Sequence, residues 1–95
     1  MRVRNLINRN GNAAANQFEI FNNGNIVFQS YGTLIAKIDD NGYLYVTKYW
    51  DYSKTTMKHL WIFLETHGWG RISNSKEMRK AIKDEVVTVV DSFDI

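Results

Sequence analysis

The sequence predicts an α+β fold. An antiparallel β-meander of three to four strands plus a C-terminal strand forms the sheet, one main helix (about 53–67) packs on it, and a second helix (about 75–85) is short. Three observations carry this prediction. Between Gln17 and Thr47 apolar and polar residues alternate in short runs broken by Asn-Gly turns. After Tyr52 the apolar spacing lengthens to that of a helix, and the chain later enters a run of β-branched residues. At 95 residues the chain makes a single domain over 1–95, because a domain takes ~100–200 residues.

The elements follow in chain order. Residues 1–12 carry Arg2, Arg4 and Arg9 against no acid, with Val3, Leu6 and Ile7 as apolar anchors, and read as a short strand or a basic arm before an Asn-rich loop. Asn22-Asn23-Gly24-Asn25 lies between Phe18–Ile20 and Ile26–Ser30, and Asn-Gly between two β-rich runs is a hairpin signal. A second turn, Asp39-Asp40-Asn41-Gly42, separates Thr33–Ile38 from Tyr43–Val46, with Gly32 marking a bulge or bend. Met57, Leu60, Trp61 and Leu64 then fall at i, i+3, i+4 and i+7, which predicts the main helix with this stripe facing the sheet. Asp51 or Ser53 can accept from its first amides, and Gly68 is placed to end it. Ser73, Asn74 or Ser75 caps the second helix, whose stripe of Met78, Ala81 and Ile82 is thin. Val86-Val87-Thr88-Val89-Val90 predicts a final strand, 86–92, returning to the sheet.

Composition narrows the chemistry. Without Cys there is no disulfide framework, thiolate metal site or cysteine nucleophile. No run approaches the ~20 apolar residues of a membrane span, and the amino terminus lacks an apolar signal region, so a chain neither exported nor embedded is expected. A net charge of +2 is too small to mark a nucleic-acid protein by itself. His59 and His67, the only histidines, stand eight residues apart, about two helical turns, so no metal and no cofactor are expected. The paired acids Asp39/Asp40 and Asp84/Glu85 fall in a turn and at a helix end, and no His–carboxylate pairing or phosphate loop is evident. The expectation is a protein that is not an enzyme.

Two surfaces are candidates for binding. Ile62 lies about 100° from Trp61 on the helix, away from the predicted stripe and toward Lys58 and Glu65, while Trp69 and Arg71 follow Gly68. Together Ile62, Lys58, Trp69 and Arg71 have the composition of a protein-contact surface, the opposing reading being that Trp69 folds back to cap the core. The alternative is nucleic acid, met by Arg2, Arg4 and Arg9 with Lys48, Tyr49 and Lys54. Tyr49, Trp50 and Tyr52 crowd the start of the main helix, where they either pack the helix–sheet joint or offer a surface.

The order Asn10-Gly11-Asn12-Ala13-Ala14-Ala15-Asn16-Gln17-Phe18, Phe28-Gln29-Ser30-Tyr31, Ile35-Ala36, Tyr49-Trp50-Asp51-Tyr52-Ser53-Lys54-Thr55-Thr56, Phe63-Leu64 resembles a small uncharacterised domain common in bacteriophages and prophages of low-GC bacteria. The likeness spans roughly residues 8–65 and brings no assigned catalysis. It implies a phage-encoded protein acting in the cytoplasm of a bacterial host. The implied partner is a host or defence-system protein, in the sharpest form a Cas nuclease blocked by an anti-CRISPR protein.

Overall fold

Asn and Gly turns set the register of the sheet. Asn23 and Gly24 both adopt positive φ, 53° and 83°, and close the hairpin in which Asn22 pairs with Asn25. Asp39 closes the second predicted turn by accepting from the amides of Asn41 and Tyr43. In this computed structural model, which describes residues 1–95, one sheet contains β1 (Arg2–Ile7), β2 (Ala13–Asn22), β3 (Asn25–Ser30), β4 (Thr33–Ile38), β5 (Leu44–Thr47) and β6 (Thr88–Val90) in chain order. Strands β1 to β5 are antiparallel and β6 joins β5 in parallel. A parallel neighbour needs a crossover. Helices α1 (Lys54–Thr66) and α2 (Ser75–Lys83) supply it.

Of the two readings of the amino-terminal segment, the strand is present and the free arm is not. Arg2 to Asn5 pair in register with Phe21 to Phe18, and the cations find partners on β2. Arg4 donates to Glu19 at 3.0 Å, and the guanidinium groups of Arg2 and Arg4 lie 4.5 and 4.9 Å from the Phe21 ring centre. The Asn-rich loop that follows is held by the Asn8 side chain, which accepts from the amides of Asn10 and Asn12. Gly32 does not mark a bulge within a strand. With Tyr31 it forms the two-residue turn between β3 and β4, and the irregularity of that pair lies at Phe28/Gln29.

Helix α1 begins at Ser53, whose hydroxyl accepts from the Thr56 amide at 3.1 Å; Asp51 is not the cap. It ends as expected at Gly68, with φ of 89°, where the Trp69 amide returns to the Leu64 carbonyl at 2.8 Å. Its buried residues are Thr56, Leu60, Ile62, Phe63 and Leu64, which corrects the expected stripe: Met57 and Trp61 are only half-buried. The cause is coverage on more than one side. Phe63 stacks on Phe28 of β3 with ring centres 5.5 Å apart, while Trp69, Ile72 and Met78 from the segment beyond the helix join the same core. Asn74 caps α2, which contributes Met78 as its one buried residue.

Candidate functional site

The conformation of Tyr31 is a starting point for the site. This turn residue sits at φ of 55°, a left-handed conformation costly for a bulky side chain, and yet its ring is exposed. Its amide donates to the carbonyl of Asn16, itself left-handed at φ of 62°, at 2.6 Å, and Gln29 donates to the Tyr31 carbonyl at 2.8 Å. The turn is therefore pinned from both sides in a shape that presents a phenol to solvent. Across from it, the segment between β5 and α1 presents Tyr49 and Tyr52, which are 41% and 77% exposed. These three tyrosines border an open groove of about 740 Å³.

Hydroxyls lie beneath them. Ser30, Thr47 and Thr56 line the groove and are buried, with the Ser30 and Thr56 hydroxyls 3.0 Å apart and Thr47 donating to the Leu34 carbonyl at 2.7 Å. Beside Ser30 in the sheet register stands Gln17, 1% exposed, whose side-chain oxygen and nitrogen have no hydrogen-bond partner. Asp91 and Ser92 complete the rim. Four of the five sequence blocks named above thus meet at one place: Asn16-Gln17, Gln29-Ser30-Tyr31, Ile35 and Tyr49 to Thr56.

The two readings of the Tyr49–Tyr52 segment divide residue by residue. Trp50 is buried and packs at 6.3 Å from Trp61, Asp51 pairs with Arg79 at 3.6 Å, and Ser53 caps the helix, all structural roles. Tyr49 and Tyr52 face outward. Lys48 is exposed beside them, its ammonium 5.4 Å from the Tyr49 ring centre, whereas Lys54 lines a different hollow with Arg9 and Lys58.

The expected contact surface of Ile62, Lys58, Trp69 and Arg71 does not form as one patch. Ile62 is 6% exposed because α1 is covered on the side where it was expected to meet solvent. Trp69 is 9% exposed and its indole N–H donates to the Gly42 carbonyl at 3.2 Å, so it caps the core. Arg71 lies over the Trp69 ring at 4.3 Å, and Lys58 stands exposed elsewhere, beside Arg9 and Lys54. The expected nucleic-acid set is also divided. Arg2 and Arg4 are engaged at Phe21 and Glu19, Arg9 pairs with Glu65 at 3.3 Å and stands near Lys54, Tyr49 borders the groove, and Lys48 lies over the Tyr49 ring.

One pairing was not visible in the sequence. His67 Nε2 bonds to Glu19, 48 residues away, so a His–carboxylate pair exists after all. Burial pushes the Glu19 carboxyl up, but hydrogen bonds and charge from His67 and Arg4 outweigh it and hold the carboxyl below its ordinary value. The Glu19 side chain is 2% exposed, and His67 packs against Phe21 and Phe63, so the pair is built into the core rather than presented to a substrate. No group of three or more His, Cys, Asp or Glu side chains is gathered as a metal site would require. No helix is long and apolar enough to cross a membrane.

Fold and groove together define a small α+β protein whose six-stranded sheet carries a groove bordered by exposed tyrosines. The chain belongs to a family of unknown function, DUF8033, whose model matches residues 1–85. No curated protein and no solved structure matches it.

Proposed function

We propose that this is a phage-encoded, non-enzymatic binding protein that inhibits a host defence protein, and that it docks on its partner through the groove of Tyr31, Tyr49 and Tyr52. The observation that carries the docking surface is the exposure of three tyrosines around buried hydroxyls, one of them held in a costly backbone conformation. Tyrosine gives large rigid contact area with a polar tip and loses little conformational freedom on binding, which is why it concentrates in binding surfaces. The phage origin and the defence target rest on the resemblance of the sequence blocks, four of the five of which also meet at the groove. A Cas nuclease, blocked as by an anti-CRISPR protein, is the most specific form of the target.

Expression of the protein in bacteria whose CRISPR system restricts a phage tests the inhibition. Restored plaque formation is expected, and its loss on replacing Tyr49 and Tyr52 by Ala with unchanged protein level would support the groove. Full restriction in the presence of the folded protein, across the Cas systems tried, contradicts the Cas form of the proposal.

A further inference from the structure

A second hollow, of about 360 Å³, lies between the β1–β2 loop and the first half of α1. Its charged lining residues are Arg9, Lys54 and Lys58, all cations, and its apolar wall is Met57 and Trp61. Local physics opposes this arrangement. Lys54 and Lys58 are one turn apart on α1 and repel each other, and Lys54 is the first residue of a helix whose first turn contains no acid, at the positive end of the helix dipole. Arg9 is brought to the same place by the loop that Asn8 closes. Arg9 pairs with Glu65 at 3.3 Å, but both side chains are more than half exposed, so water weakens that pair, while the neighbouring acids Asp51 and Glu77 are engaged by Arg79 and Ser73. Asn74 and Ser75 at the start of α2 also border the hollow, where the Asn74 side chain already accepts from the Glu77 amide.

We propose that this hollow binds single-stranded nucleic acid, the three cations meeting phosphates and the half-buried Trp61 ring offering a face to a base. A cationic cluster maintained against local repulsion is relieved by an anion, and an aromatic wall beside it suits a nucleobase better than an acidic side chain. Trp61 is positioned for this by Trp50 behind it. The site is independent of the tyrosine groove, so it stands or falls without the docking proposal.

The test is titration of the full chain with a fluorescent oligothymidine, using intrinsic tryptophan quenching as a second readout. Three phosphate contacts give a slope of about −2 in log affinity against log salt, so raising salt from about 50 to about 200 mM weakens binding about fifteenfold. Lys54→Ala with Lys58→Ala should weaken binding at least tenfold, and Glu65→Gln should tighten it, by removing the competing carboxylate. Lys83→Ala, remote on α2, should leave it unchanged. The proposal is overturned if no binding is seen at low salt, if Lys83→Ala weakens it as much as the double variant, or if polyglutamate binds as tightly as the oligonucleotide. Melting temperatures of the variants, all at exposed positions, verify that folding is intact.

Discussion

Replacing Glu19 by Gln removes one charge from the protein's most buried ionic cluster and leaves its shape nearly intact. The lost interactions are two hydrogen bonds to a charged carboxylate, worth ~1.5–3 kcal/mol each where water is excluded and less where it is not. Arg4 is 48% exposed, so on release it regains water, and the Gln oxygen can still accept from it. His67, at 12%, regains little. The loss should be about 2–3 kcal/mol, which for a domain of this size lowers the melting temperature by roughly 10–20 °C. The pH dependence has a definite sign. The folded Glu19 carboxyl titrates below its ordinary 4.5, so its stabilisation is complete above that pH and is lost as pH falls through the lower, folded value. The gap in unfolding free energy between the native protein and Glu19→Gln, measured by urea denaturation, should therefore be widest at neutral pH and narrow in acid. Equal stability at pH 7, or a gap that does not narrow below pH ~4, would refute the assignment of Glu19 as a buried, charged acceptor.

Tyr31→Asn should raise stability by about 0.5–1 kcal/mol while weakening partner binding, since Asn tolerates the left-handed turn that Tyr31 adopts at cost; chemical denaturation checks the first and affinity capture the second. Trp69→Ala should cost about 3 kcal/mol and Arg71→Ala less than about 1, because one side chain is core and the other rests on it from outside; thermal melts separate them. Ser53→Ala should cost about 1 kcal/mol through the lost cap of α1, read by urea denaturation.

Much of the fold was legible because its signals are local. The Asn23-Gly24 turn, the Asp39–Gly42 turn, the Gly68 stop and a cap at Ser53 each follow from the chemistry of two to four adjacent residues. What was not legible depends on neighbours distant in sequence. The helical periodicity of Met57, Leu60, Trp61 and Leu64 is real, but burial was decided by Phe28, Ile72 and Met78 closing over other sides of α1, which took in Ile62 and Phe63. The same closure buried Trp69 and divided the expected contact surface. Glu19 and His67 could not be matched from sequence because nothing local links residues 48 apart. Tyr31 was readable in principle: a large aromatic before Gly32, between two β-rich runs, stands where turn residues are exposed. Tyr49 was singled out as a nucleic-acid contact, and Tyr52 only within its aromatic cluster; what joins them to Tyr31 is the sheet register bringing the β3–β4 turn beside the end of β5.

The docking role of the tyrosine groove is tested most directly by quantitative affinity capture from a nuclease-treated bacterial host lysate, comparing the native protein with the Tyr49→Ala, Tyr52→Ala double variant. Both residues are exposed, so the variant should melt at the native temperature. A protein retained stoichiometrically by the native chain, resistant to nuclease, and lost or reduced at least tenfold with the variant is the predicted result. Equal retention by both proteins would place the contact surface elsewhere and contradict the account.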